Sequence, residues 1–186
     1  MISFKASLIN KPNILKRNSN GKYSETPCSF IKIDANNSND IRALNNVSKH
    51  WEFSSFAENI AYTAKLMSSG RNIKSKYNIY ALTTQNENLN KLDDEKILGL
   101  VEIEELPNNN VFLGYIQVKP ELIYDLPLEI KRCGSAMLDC LKLIYSNKTI
   151  SLNSRVHDFF FKNGFKLIDV EKNRFAWNKN LSSIIK

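Results

Sequence analysis

Ile116-Gln117-Val118-Lys119-Pro120, Lys131-Arg132-Cys133-Gly134-Ser135-Ala136-Met137-Leu138 and Phe159-Phe160-Phe161-Lys162-Asn163-Gly164-Phe165 are the passages on which the reading of this chain turns. The first closes an apolar run, residues 111–118, rich in the β-branched and aromatic residues that suit a strand. The second lies in a helix expected over about residues 129–145, with Met137, Cys140, Leu141 and Ile144 on one face, so that it should pack on a sheet. A strand over 149–152 and a helix over about 155–163 follow, and Gly164 supplies the turn at that helix's C-terminus. The order is strand, basic turn, helix start, strand, and a helix ending in aromatic-Gly-aromatic.

Working outward, residues 77–84 and 97–105 read as two more strands, which with 111–118 make a meander separated by polar turns. Upstream of them stand a strand over 29–33 and a helix capped by Ser38-Asn39-Asp40 that carries Ile41, Leu44 and Val47 at helical spacing. Ser54 or Ser55 caps a second helix, in which Phe56, Ile60, Ala64, Leu66 and Met67 recur before Gly70 ends it. Residues 166–170 and 174–178 form a final strand pair. The first 24 residues read as a hairpin-like extension, with apolar segments at 2–8 and 14–15 and a turn at Asn18-Ser19-Asn20-Gly21. The runs Asn36-Asn37 and Asn108-Asn109-Asn110 read as turns, since Asn accepts left-handed backbone angles. With 186 residues, no internal repeat and no stretch of linker composition, one domain over 1–186 is expected, its core at 25–180.

The formal charge is +7, and all of the excess lies in residues 1–80, which hold 12 Lys/Arg against 5 Asp/Glu; residues 81–186 hold 14 of each. A basic half can attract nucleic acid or an acidic partner, but these cations are scattered singly, as on a solvated surface. Nucleic acid is therefore an open partner that the pattern does not favour. No run reaches the ~18 apolar residues of a membrane-spanning helix, and the first residues lack the apolar core of a signal peptide. Cys28, Cys133 and Cys140 have neither disulfide-framework nor zinc spacing, which fits a reducing cytoplasm and no structural metal.

This order of elements resembles the GNAT superfamily of acyl-CoA-dependent N-acyltransferases. The resemblance implies an α/β (α+β) fold: a mixed central sheet of about six to seven strands flanked by about four helices, with the N-terminal hairpin-like extension added. It also implies acetyl-CoA as acyl donor, a small-molecule or protein amine as acceptor, direct attack in a ternary complex, and a possible homodimer. The family's pyrophosphate turn, Gln/Arg-x-x-Gly-x-Gly/Ala, falls on Glu129-Ile130-Lys131-Arg132-Cys133-Gly134 and agrees only at Gly134. The physics persists, because the free N–H groups of a helix start and the charges of Lys131 and Arg132 favour an anion. Residues 121–128 lengthen the approach to this turn. Downstream, Asn-x-x-Ala-x-x-Phe-Tyr-x-x-x-Gly-Phe falls on Asn153, Val156, Phe159, Phe160, Gly164 and Phe165, with four of six positions in agreement. By resemblance, the donor is held by the backbone of Ile116, Gln117 and Val118, by Lys131, Arg132, Cys133, Gly134, Ser135 and Ala136, and by Asn153.

Phe160 is the departure that bears on chemistry, since the family's matching residue is often a tyrosine that protonates the leaving thiolate. A thiol of pKa ~8.5 costs about 2 kcal/mol to release as thiolate at pH 7, whereas a lysine-like amine of pKa ~10.4 costs about 4.6 kcal/mol to deprotonate. A base therefore matters more than the missing acid. Glu102 and Glu104 alternate onto one side of their strand and are the candidate bases; the alternative is a wet strand end with exposed carboxylates. Tyr115 or Tyr124 stands in reserve for the absent hydroxyl. His50 and His157 are isolated and read as surface or capping residues. The aromatics of His50-Trp51-Glu52-Phe53 line an acceptor pocket or staple two helices. Cys133, beside two cations at a helix start, has the setting of a thiol of lowered pKa. Two further readings stay open: a binding module on the same fold that has lost turnover, and an acyltransferase directed to a nucleic-acid-borne amine.

Overall fold

In the computed structural model, which describes residues 6–51, 55–70, 76–124 and 126–180, eight strands form one mixed sheet. Across it they run β1 (Ser7–Asn10), β4 (Ser29–Lys32), β5 (Lys76–Thr83), β6 (Ile97–Leu106), β7 (Asn110–Val118), β9 (Thr149–Asn153), β11 (Arg174–Trp177) and β10 (Lys166–Asp169). Every neighbouring pair is antiparallel except β7 with β9. A parallel joint requires a crossover, and helix α4 (Cys133–Ile144) provides it.

Helices cover both faces, so the central strands are apolar on both sides. Ile79, Ala81 and Leu100 pack with Ala43, Leu44 and Val47 of α1 (Ser38–His50) and with Ala57, Ile60 and Ala64 of α2 (Ser55–Ser68). Their neighbours Tyr80, Leu82, Val101 and Ile103 point the other way, toward Met137, Leu138 and Leu141 of α4 and Phe160 of α5 (His157–Lys162). A single-turn helix, α3 (Glu121–Tyr124), lies within the 121–128 insertion. The mixed sheet between helical layers is the expected fold class, with β1 as an additional edge strand and α3 as an additional short helix.

Three local expectations are corrected. Asn37 caps α1, its side chain accepting the Asn39 N–H, one residue before the expected cap. The N-terminal segment divides: β1 joins the main sheet, while the hairpin is β2 (Asn13–Arg17) with β3 (Tyr23–Pro27) about the turn at Gly21, whose φ is +79°. The helix expected from about 129 starts at Cys133, because Ile130–Lys131 is a short strand, β8, on the free edge of β2. Ser54, Glu52 and Phe53 lie outside the described residues.

One register shift governs everything near the parallel joint. Along β6 and β7, Glu102 faces Tyr115 but Ile103 faces Leu113, so Gly114 is an extra residue in β7, a bulge. Glycine suits that place, since a Cβ there would stand 3.1 Å from Glu102 Oε1. An extra residue exchanges the two sides of the strand. Val111 and Leu113 lie in the α4-side core before the bulge, Ile116 and Val118 pack there after it, and Tyr115 turns to the α2 side.

Phe175 closes the far end of the α4-side core, fully buried against Phe160, Phe161 and His157 at 5.2–5.6 Å between ring centroids. Phe175→Ala is expected to cost about 3–5 kcal/mol, read as a fall in the denaturant midpoint, whereas Leu143→Ala, on the exposed face of α4, should stay within about 0.5 kcal/mol.

Candidate acyl-donor cleft

The parallel ladder between β7 and β9 is short. It pairs Asn110 with Thr149, Val111 with Ile150 and Phe112 with Ser151, and has no further rung although both strands continue. Beyond Phe112 the strands diverge, and the gap opens into a cavity of about 1360 Å³. The bulge determines which backbone groups meet that gap. Lys119 N–H donates to Leu98 O of β6 at 2.9 Å, and alternate residues of an antiparallel strand turn their amides to the same neighbour. Lys119 and Gln117 therefore face β6, while the peptide groups of Ile116 and Val118 face the gap. All three expected residues line the cavity, in different ways. The Gln117 side chain goes to the opposite layer, where its Oε1 accepts the Ala57 N–H at 2.9 Å and satisfies one of the free amides at the start of α2.

The first turn of α4 forms the opposite rim. Arg132 is its N-cap residue, with φ +70° and no side-chain cap bond, so the N–H groups of Cys133, Gly134 and Ser135 have no intrahelical acceptor. Together with Lys131 and Arg132, these residues line the cavity. Ala136 does not: its N–H is spent on Arg132 O at 2.8 Å and its side chain is buried. Gly134 has a packing role as well, since a Cβ on it would stand 2.9 Å from the Phe159 ring. The missing side chain lets α4 sit close to α5. Arg155 and Lys172 add positive charge on the far rim, beside Asn153 and Glu171.

On the α2 side, Glu102 stands directly behind the bulge. It is 4% exposed, and among the described residues its Oε2 has no hydrogen-bond partner. Desolvation raises its pKa above the usual carboxylate value, opposed by a hydrogen bond with Thr63 and reinforced by Glu104. Gly114, itself a lining residue, is a neighbour that this carboxyl shares with the cavity: a Cβ on it would stand 3.1 Å from Glu102 Oε1. Glu104 lies farther along β6, paired with Phe112 and Tyr77, and neither carboxylate lines the cavity itself.

Phe160 lines the cavity with a buried ring held among Phe159, Phe165 and Phe175, so the wall has no hydroxyl at this position. Tyr124 is on the rim and 70% exposed, whereas Tyr115 packs on Phe56 with centroids 5.3 Å apart. His157 is structural: its Nε2 bonds Asn173 Oδ1 at 2.8 Å. His50 is exposed, and Trp51 is buried among the residues of α1 and α2. Cys133 is the reverse of an activated thiol. Burial pushes it up to about 12, and Cys28 and Cys140 rise for the same reason to about 12 and 11.

Sequence reasoning missed Gly114, Thr63 and the attachment of β8 to the N-terminal hairpin. A glycine inside a strand pattern is a usable bulge signal; the other two contacts are long-range and leave no local mark.

No protein-family model matches the chain, and no curated protein matches it in sequence. Solved structures do match. The PaiA N-acetyltransferase of Thermoplasma acidophilum, solved in complex with coenzyme A, is 18% identical with a TM-score of 0.51, over 81% of this chain and 97% of that one. A GNAT-family protein of Desulfovibrio desulfuricans is 11% identical with a TM-score of 0.53, over 81% and 98% of the two chains. At such identities the likeness speaks for the fold. The mixed sheet with its helices has the fold of these GNAT acetyltransferase structures.

Proposed function

We propose that this chain is an acyl-CoA-dependent N-acyltransferase that moves an acetyl group from acetyl-CoA to a primary amine by direct attack. The observation that carries the reading is the continuity of one cavity from the open β7/β9 joint to the uncapped start of α4. A pantetheine arm is a chain of amides, and it fits a gap whose strand offers peptide groups without rungs. A diphosphate fits free helix N–H groups flanked by Lys131 and Arg132. In this reading Ile116 and Val118 bind the arm, residues 131–135 bind the diphosphate, and Asn153 contacts the donor from β9.

The donor supplies an activated acyl carbon. The protein supplies orientation, one backbone N–H toward the thioester oxygen as negative charge grows on it, and a base. Glu102 takes the proton that the amine must lose, directly through the opening at Gly114 or through a water. Its raised pKa makes it a better acceptor than a surface carboxylate. As the new C–N bond forms, the C–S bond breaks and the thiolate leaves; solvent protonates it, since Phe160 cannot. A second reading is favoured by that phenylalanine alone, namely a module that binds CoA without turnover.

Calorimetry with acetyl-CoA should give a saturable heat with Kd well below 1 mM; absence of binding at that level, about −4 kcal/mol, removes the proposal. Release of free CoA in the presence of an amine panel separates enzyme from binding module. Glu102→Gln should slow transfer by about 10²–10⁴-fold with acetyl-CoA affinity nearly unchanged. The wild-type rate should rise with pH through a midpoint above the ordinary carboxylate range, because burial keeps Glu102 protonated to higher pH and only its ionised form accepts a proton. Persistence of that low-pH limb in Glu102→Gln would reassign the base.

A further inference from the structure

The N-terminal hairpin is built onto the residues that lead into α4. Leu15 and Lys16 of β2 pair with Lys131 and Ile130 of β8. Arg17 N–H donates to Glu129 O at 2.7 Å, and the Tyr23 hydroxyl donates to Leu128 O at 2.6 Å. Ile14 is fully buried in the same core as Ile130 and Cys133. The Lys131 ammonium lies 4.0 Å from the centroid of the Tyr23 ring. Apart from the packing with Cys133, these contacts fall on the four residues before Arg132, and three of them, Leu128, Ile130 and Lys131, line the cavity. Arg132 itself is in the left-handed region, a conformation a non-glycine residue keeps only where its surroundings impose it.

We propose that the hairpin of residues 13–27 is a positioning element for a diphosphate-bearing ligand, with Tyr23 holding both the backbone at Leu128 and the ammonium of Lys131 at the rim of the cavity. This rests on the reading of the cavity as an acyl-CoA site. A lysine is a flexible stem with a compact charge, and an unrestrained one gives up its freedom when an anion binds. Resting on an aromatic face leaves the charge intact and removes part of that loss in advance. The hydroxyl bond fixes the other end of the ring, so one residue of the extension sets both the entering backbone and the first cation.

The test compares CoA, by calorimetry, with pantetheine, which lacks the diphosphate, by NMR titration. Tyr23→Leu should lower the CoA-to-pantetheine affinity ratio roughly five- to tenfold. Tyr23→Phe, which keeps the ring and loses the hydroxyl, should lower it less than about threefold. In a Lys131→Ala background, Tyr23→Leu should cause a smaller further loss, since the ammonium it positions is gone. Thermal unfolding checks each variant, and Tyr23→Phe with Lys131→Ala keeps the test decisive if Tyr23→Leu fails to fold. An unchanged ratio, an equal loss for both ligands, or tighter CoA binding in Tyr23→Leu overturns the positioning role while the acyl-CoA reading stands. Wild-type protein that binds neither compound removes that reading and the proposal together.

Discussion

Gly114 adds one residue to β7, and the rest of the site depends on that addition. A strand offers its peptide groups alternately to its two neighbours, so an extra residue transfers each subsequent amide from one neighbour to the other. Before the bulge, β7 serves β9 through its short parallel ladder; after it, Ile116 and Val118 face a side where β9 has turned away. The same shift sends Tyr115 and Gln117 to the α2 layer, where the Gln117 amide caps the Ala57 N–H. One inserted glycine thus directs donors into the gap and ties the strand to the helix over its other face.

The two sides of the cavity have opposite electrostatic character. Its rims carry a helix start with Lys131 and Arg132 on one side and Arg155 and Lys172 on the other, a setting for a highly charged phosphate ligand. Behind the bulge, a single carboxyl is kept out of water with an unsatisfied oxygen, so that its charged form is disfavoured until a proton donor or water reaches it. The buried, strongly protonated Cys133 shows that nearness to cations and a helix start does not activate a thiol when desolvation dominates.

What could be read from the sequence followed periodicity. Strands 77–84, 97–105 and 111–118 carry dense β-branched and apolar residues, and the structure gives Lys76–Thr83, Ile97–Leu106 and Asn110–Val118. The helical faces of α1, α2 and α4 were legible for the same reason, as was the Gly164 helix stop, at φ +76°. The start of α4 was not. Ile130 and Lys131 fit a helix by local pattern and are drawn into a strand by pairing with Lys16 and Leu15, more than a hundred residues earlier in the chain. Among the residues that line the cavity, local motifs led to residues 131–135 and to Asn153. The two-layer role of Gln117 and the hydrogen bond between Thr63 and the buried Glu102 belong to tertiary contacts that no window of sequence contains.

Residue-resolved amide hydrogen exchange around the bulge, with and without CoA, tests the central claim most directly. Amides in a ladder are protected, and those facing an open gap are not. The account predicts that Gln117 is protected in the free protein while Ile116 and Val118 exchange fast, and that CoA slows Ile116 and Val118 together with Cys133, Gly134 and Ser135. Equal protection of Ile116, Gln117 and Val118 before any ligand is added, or exchange at Ile116 and Val118 that CoA leaves unaltered, would contradict it.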